Sequence, residues 1–368
     1  MGEIPSLFTT ASDDPETREV GQLLGGWMAT QVVRVVAELG IPDHLAAGPR
    51  TAAELAALTG AASDPLARLL SAAAVYGIVR REAGRYALTG TGERLRADVP
   101  GSLRALALGF VAAPMWDGLG RLGDVVRTGR PVDRGAPGGP WEYFERNPDV
   151  AGMFARAMSD GTAGMVGQMR AAGYGLPAGT RRVVDVGGSR GTLLAYLLQT
   201  CPGATGVVLD RAEALAEAPK VLDDAGVADR AELRPGNFFA QVAPGDVHVL
   251  SNILHDWDDA ASRAILRSCH RAGEPGGLLL VCTFLLDDTA GLLDDTAGQP
   301  DRTAGQPGGA AGPPHPPLMD LLMMTVEGGR ERTLAELCAL LASGGYQFNR
   351  DVPLDGPMPW HVVEFNRA

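Results

Sequence analysis

Residues 183–191, Val-Val-Asp-Val-Gly-Gly-Ser-Arg-Gly, constrain this chain more than any other stretch. An apolar run ends in Asp185. A turn carrying Gly187, Gly188 and Gly191 follows, and residues 193–198 then read as an apolar helix. A second apolar run, 206–209, ends in Asp210. The order is strand, turn, helix, strand, with an acid closing each strand. Glycines let the backbone pass close to a ligand, and an acid at the tip of the second strand suits the hydroxyls of a ribose. The pattern predicts a nucleoside-binding turn in an α/β sheet; the plainer alternative is a tight strand–helix turn that binds nothing.

Two details argue against a dinucleotide. That fingerprint is G-x-G-x-x-G, whereas residues 187–192 read Gly-Gly-Ser-Arg-Gly-Thr. Asp185 also lies two residues before the first glycine, where a carboxylate faces a cationic group better than a pyrophosphate. A ligand with a ribose, an ammonium and no phosphate is S-adenosylmethionine.

The 368 residues suffice for two domains, and the hydrophobic fraction of 45% for real cores. A net charge of −12 argues against a nucleic-acid partner. No apolar run is long enough to span a membrane, and residues 1–6 lack the basic start and apolar core of a signal peptide. Cys201, Cys269, Cys282 and Cys338 are widely spaced and form no C-x-x-C, which suits a reduced, cytoplasmic protein. The six histidines show no ligand spacing, so no metal site is expected.

Along the chain, residues 20–39 place apolar side chains at helical spacing. Thr51 and Glu54 form a capping box for a second helix that Gly60 ends. Asp64-Pro65 predicts an N-cap and first residue for a third, running to Tyr76. Two β-like runs, 78–81 and 85–88, join at Ala83-Gly84. Three helices and a hairpin predict a winged helix. Its third helix carries one basic residue, Arg68, among leucines and alanines, too few donors to read base edges. The module is therefore expected to dimerise or cover a site. Residues 103–165 read as mainly helical. From 181 onward strands at 183–186, 206–209, 231–234, 247–250 and 278–283 alternate with helices, which predicts a Rossmann-like, doubly wound, mostly parallel sheet. The expected division is 1–105 for the winged helix, 106–180 for a helical bridge lining the cleft, and 181–368 for the α/β domain. Within the last, residues 285–312 are a decaying seven-residue repeat, Leu-Leu-Asp-Asp-Thr-Ala-Gly at its start. With almost no apolar content after Leu293, it reads as a disordered loop expansion.

A second signature, Ser251-Asn-Ile-Leu-His255-Asp-Trp-Asp-Asp259, directly follows the strand 247–250. A histidine there sits at the ligand edge of an open sheet, and its pKa suits removal of a phenolic proton. With Asp-Val-Gly-Gly-x-x-Gly, and with Gly-Gly-Arg-Glu-Arg-Thr at 328–333, the chain resembles the S-adenosylmethionine-dependent O-methyltransferases of the plant caffeate and bacterial polyketide type. The resemblance covers roughly 20–284 and 315–365. It implies an N-terminal winged-helix dimerisation domain, a homodimer, a phenolic or polyketide-type aromatic acceptor and a place in antibiotic biosynthesis.

By position, Gly187 resembles the part of the turn under the methionine moiety, near Asp185, and Asp210 the ribose acid. Gly236, Asn237 and Phe238 match the adenine-binding element, with the Asn237 carbonyl oxygen accepting from the adenine amine. Ser251, Met158 and Thr162 match further cofactor contacts. His255 resembles the catalytic base and Glu331 one of two acids flanking it. Trp116, Phe154, Met158, Met319 and Met323 are candidate apolar walls for the acceptor, since methionines suit a flat ring. Two departures stand out. Ser189 replaces a usual glycine, which is tolerable if its φ is negative. Thr283 stands where the other flanking acid is usual, so Asp256 or Glu331 would have to compensate. That second departure keeps one rival in view, a relative that binds the cofactor but hydroxylates or decarboxylates, which retention of His255 disfavours. A rival of another class, a winged-helix ligand-sensing regulator, is disfavoured by the acidic charge and the apolar third helix.

Overall fold

The computed structural model describes residues 14–131, 139–287, 316–326 and 328–368. The repeats beyond Asp287 therefore lie outside the described residues. The chain divides into two compact units, one ending at Ala112 and the other beginning at Ala113.

The first unit is helical with one hairpin. Helix α1 (Pro15–Glu38) begins with Asp14 accepting from the Thr17 N–H and Pro15 as first residue. Short α2 (Ile41–Leu45) leads to α3 (Ala52–Thr59), which opens with the expected Thr51/Glu54 capping box and ends at Gly60 with φ 70°. Helix α4 (Ser63–Val75) departs from expectation: its N-cap is Ala62, and Asp64 lies inside the first turn, paired with Arg68 at 2.9 Å. Strands β1 (Val79–Glu82) and β2 (Arg85–Leu88) are joined by Ala83 and Gly84, both at positive φ. That is the two-residue turn whose twist suits a hairpin. A further short helix, α5 (Gly90–Glu93), follows. Val36, Ile41, Leu55, Leu70 and Ile78 form the core. One face of α1 stays outside it: Val20, Leu23, Leu24 and Trp27 are each more than half exposed.

The second unit starts with helices α6 (Ala113–Gly120), α7 (Leu122–Thr128), α8 (Gly139–Arg146) and α9 (Pro148–Ala171). Then come β3 (Arg182–Val186), α10 (Thr192–Thr200), β4 (Thr205–Asp210), α11 (Ala218–Asp224), β5 (Ala231–Pro235), β6 (Gly245–Ser251), α12 (Asp259–Ala272) and β7 (Gly273–Leu286). After the undescribed segment follow α13 (Pro316–Val326), β8 (Arg332–Thr333), α14 (Leu334–Ser343), β9 (Tyr346–Pro353) and β10 (Trp360–Arg367).

The sheet order is β5-β4-β3-β6-β7-β10-β9. Strands β5 to β7 are parallel, whereas β10 runs antiparallel to both of its neighbours. This C-terminal antiparallel pair is not among the strands expected from the sequence. Strand order reverses between β3 and β6, so their carboxyl ends flank the crevice where open α/β sheets bind ligands. Buried apolar layers cover both faces, with Met165, Leu194 and Leu197 on one side and Ile265, Leu266 and Leu341 on the other. Strand β8 pairs with the far end of β7, Leu285 opposite Arg332, and so carries residues 331–333 to the same sheet edge.

Candidate active site

At the β3 end, Asp185 is 1% exposed, and its Oδ2 has no hydrogen-bond partner among the described residues. Burial, with the nearby charge of Asp210, raises its pKa to about 7. Gly187 and Gly188 have no room for a side chain. A Cβ on Gly187 would fall 2.3 Å from Ile253 Cδ1, and one on Gly188 would fall 2.6 Å from the Asp185 carboxyl. The turn thus packs directly on its own carboxylate and on the residue two before His255.

Ser189 corrects one expectation: its φ is +47°, not negative. A left-handed serine costs about 1–2 kcal/mol, and its N–H donates to Asp210 Oδ2 at 2.8 Å, which holds it there. Asp210 Oδ1 accepts from the Arg211 N–H at 2.7 Å. Burial raises the Asp210 pKa against these two bonds. The proposed ribose acid therefore also fastens the glycine turn, and each of its oxygens keeps a second lone pair.

Beyond β5, Gly236 sits close under Leu209, and Asn237 is exposed. The Asn237 Oδ1 accepts from the Phe239 N–H at 2.9 Å, so the oxygen expected to meet adenine already has one internal partner. Phe238 packs against Phe239 and presents its ring edge-on to Trp257 at 6.3 Å. It is also the next neighbour of the Gly187 position after Ile253. On α9, Met158 is half-buried and its carbonyl accepts the Thr162 hydroxyl, which is thereby partly engaged. The adjacent Ser159 ties α9 to α10 through the Thr192 hydroxyl at 2.6 Å.

At the β6 end, Ser251 lies opposite Cys282 and Asn252 takes φ 53°. The chain then makes a single 3-10 turn, Leu254–Asp256, that presents His255. Its Nδ1 lies 2.7 Å from Glu331 Oε1, and its Nε2 lies 3.5 Å from Asp256 Oδ1. The His255 side chain is 10% exposed and that of Glu331 is 1% exposed. Burial opposes the imidazolium, but the Glu331 and Asp256 charges outweigh it and raise the His255 pKa to about 9. Asp256 is raised to about 6, by burial against the attraction of His255. Thr283 lines the same small cavity as His255, Glu331 and Arg330. The unusual residue is thus next to the histidine, as its place in the sequence implies.

The candidate acceptor walls fall into two groups. Helix α13, with Met319 and buried Met323, packs against α6, which carries Trp116, and against the His255 turn. Phe154 instead stacks on Phe144 at 4.8 Å and meets Trp141 edge-on, in an aromatic cluster between α8 and α9.

Three residues of the site went unnoticed in sequence. Gly329 is buried against the turn: a Cβ there would lie 2.0 Å from the His255 carbonyl oxygen. Asp320 accepts from the Glu331 N–H at 2.8 Å. Arg332, 4% exposed, reaches the turn from below. Gly329, Glu331 and Arg332 all stand in the 328–333 motif, which was the available signal.

The turn fits S-adenosylmethionine on one observation above all. A buried carboxylate oxygen without a donor, held near neutrality beside a second acid, calls for a cationic partner. No helix among the described residues is long and apolar enough to cross a membrane. Among the same residues, no group of three or more His, Cys, Asp or Glu is placed to hold a metal ion.

Residues 119–347 match the O-methyltransferase domain, and residues 21–98 the O-methyltransferase dimerisation domain. The mitomycin biosynthesis 6-O-methyltransferase of Streptomyces lavendulae is 34% identical over 372 residues, covering 100% of this chain and 98% of that protein. An O-methyltransferase from neocarzinostatin biosynthesis was solved with S-adenosylmethionine and 2-hydroxy-5-methyl naphthoic acid. It superposes with a TM-score of 0.73 at 34% identity, covering 92% of this chain and 96% of that one. The aclacinomycin 10-hydroxylase of Streptomyces purpurascens is also 34% identical, over 88% of this chain and 82% of that protein.

Proposed function

This chain belongs to the O-methyltransferase family, whose cofactor is S-adenosylmethionine, and from that premise we propose that it methylates a phenolic hydroxyl of an aromatic secondary metabolite with His255 as general base. The observation that carries the reading is the His255–Glu331 contact of 2.7 Å at the sheet edge that also holds the glycine turn.

Glu331 accepts from the His255 Nδ1–H and so fixes the ring, leaving Nε2 for the acceptor. As the acceptor O–H bond breaks, its proton would go to His255 Nε2 and the electron pair would stay on the acceptor oxygen, which becomes the nucleophile. Glu331 and Asp256 stabilise the resulting imidazolium. Asp256 thereby takes the place of the second flanking acid that Thr283 does not provide. When bound, S-adenosylmethionine supplies a methyl group made electrophilic by its sulfonium. Holding the acceptor in line with that methyl is worth about 7–11 kcal/mol, and the base adds roughly 10²–10⁴ in rate. We assign Asp185, Gly187, Asp210, Gly236, Asn237, Phe238, Ser251, Met158 and Thr162 to the cofactor. Trp116, Met319 and Met323 are assigned to the acceptor, with Phe154 at the outer wall. The exposed α1 face and the dimerisation-domain match support a homodimer.

The test is transfer of labelled methyl to a panel of phenols extracted into organic solvent. His255→Ala should keep cofactor affinity and lose roughly 10²–10⁴ in turnover at neutral pH, recovering part at high pH where the phenol ionises by itself. Near-normal turnover in that variant would remove His255 from the chemistry. A second reading, hydroxylation with the cofactor bound, rests on Thr283 beside His255 and on the resemblance to a hydroxylase. It predicts cofactor binding with no label in any phenol.

A further inference from the structure

We propose that Arg332 is a positioning residue for His255: its guanidinium grips the turn on both sides of the histidine and thereby fixes the direction of Nε2. The proposal rests on the reading of His255 as the base.

The turn has little to hold it from within. It spans three residues, and its closing bonds are long, Asp256 N–H to Ile253 O at 3.2 Å and Trp257 N–H to Leu254 O at 3.5 Å. Trp257 then returns to extended backbone. Support comes from outside: the Ser262 hydroxyl reaches the Leu254 and Trp257 carbonyls at 3.4 Å each, and Arg332 reaches the same two at shorter range. Its Nη1 donates to the Leu254 carbonyl at 2.8 Å, and its Nη2 donates to the Trp257 carbonyl at 3.2 Å. The two carbonyls bracket His255 and Asp256. Nη2 also meets Asp259 Oδ1 at 2.8 Å, at the start of α12, which ties the fork to the helix that follows the turn. The Nε–H is buried without an acceptor, so the side chain is oriented by its terminal nitrogens alone. A planar fork reaches two carbonyls and a carboxylate together, whereas a lysine presents a single nitrogen. Pairing of Arg332 with Leu285 anchors the arginine backbone to the sheet. The next residue back, Glu331, holds the ring that Arg332's turn presents, so ring and backbone are fixed by neighbours in one short segment.

The test begins without an acceptor. In protein labelled with ¹⁵N-histidine, the short Nδ1–H to Glu331 bond should give a low-field imidazole proton, assigned by its absence in His255→Ala. Arg332→Met should broaden or abolish that resonance while cofactor affinity by calorimetry stays within about twofold, because a displaced ring is a local change. Turnover should fall by about 10²-fold, the scale of a misplacement near 1 Å, with a much smaller change in acceptor KM. Arg332→Lys should recover part of both signals. In a His255→Ala background, Arg332→Met should cost less than about twofold in turnover, since residues that act as a unit are not additive. An unchanged resonance and turnover in Arg332→Met, or an equal loss with His255 already absent, would overturn the proposal. Should Arg332→Met fail to fold, Asp259→Ala reads the same signals, because Asp258 still caps α12. Unaffected signals there would likewise overturn it. If His255→Ala alone leaves turnover intact, the base reading fails, and the resonance still decides whether Arg332 orients the ring.

Discussion

His255 has opposite consequences for stability and for rate. Its folded pKa is raised from 6.5 to about 9 by the Glu331 and Asp256 charges acting against burial. A raised histidine pKa stabilises the fold fully below the unfolded value, and that contribution is lost as pH rises through the folded one. As the proposed base, however, His255 would work only when unprotonated. Acceptor-limited kcat/KM should therefore climb from pH 6.5 toward 9 while the melting temperature falls over the same window. In Glu331→Gln the climb should level off at lower pH, because the charge that raises the His255 pKa is gone. Rate profiles and thermal melts between pH 6 and 10 check both signs, and a rate plateau already reached below pH 7 would contradict them. A second expectation concerns Asp210, which fastens the turn and is the residue proposed to hold the cofactor's ribose. Asp210→Ala should weaken cofactor binding at least about tenfold, since a charged hydrogen bond is worth about 1.5–3 kcal/mol. It should also lower the melting temperature modestly as Ser189 loses its acceptor. Unchanged affinity by calorimetry would remove Asp210 from the site. At this scale the sequence was legible where chemistry and spacing coincide, as at Asp185 and His255. Glu331 was visible only through the resemblance, because 76 residues separate it from its histidine. The sign of φ at Ser189 was not legible, because Asp210, 21 residues away, sets it.

Among elements, the parallel strands announced themselves as apolar runs ending in acids, and the observed bounds differ from the read ones mostly at the ends. β9 and β10 did not: β9 is a sheet edge whose side chains are mostly exposed, and the buried run of β10 is broken by the charged Glu364. The start of α4 was misplaced for a different reason. Asp64-Pro65 has the composition of a cap, yet the backbone is already helical at Ser63 and Asp64 pairs with Arg68 instead. The glycine-rich 328–333 segment shows the limit of motif reading: its glycines look like a flexible turn, and Gly329 is in fact a contact surface for another loop. Gly329→Ala should push the His255 turn out of place, since its new methyl would start 2.0 Å from the His255 carbonyl oxygen. Turnover is expected to fall by more than about tenfold with cofactor affinity retained. Parallel loss of both in calorimetry and kinetics would mean that the disturbance spreads to the glycine turn.

Taken as a whole molecule, the chain assigns association to its first unit and chemistry to its second. The α1 residues Val20, Leu23, Leu24 and Trp27 are 53–76% exposed, a continuous apolar stripe of the kind that meets another chain. Light scattering at micromolar concentration should show a dimer, and Leu23→Glu with Trp27→Glu should yield monomers that still bind cofactor. A wild-type monomer would sink this expectation. Within the second unit, the contact of Gly329 with the His255 carbonyl reaches beyond catalysis to ancestry. Two stretches that meet with no spare volume cannot drift separately: any change in one must be answered in the other. The 254–259 and 328–333 segments are therefore expected to be inherited together. A chimaera that takes them from different parents should fail at this seam, even when every catalytic side chain is present.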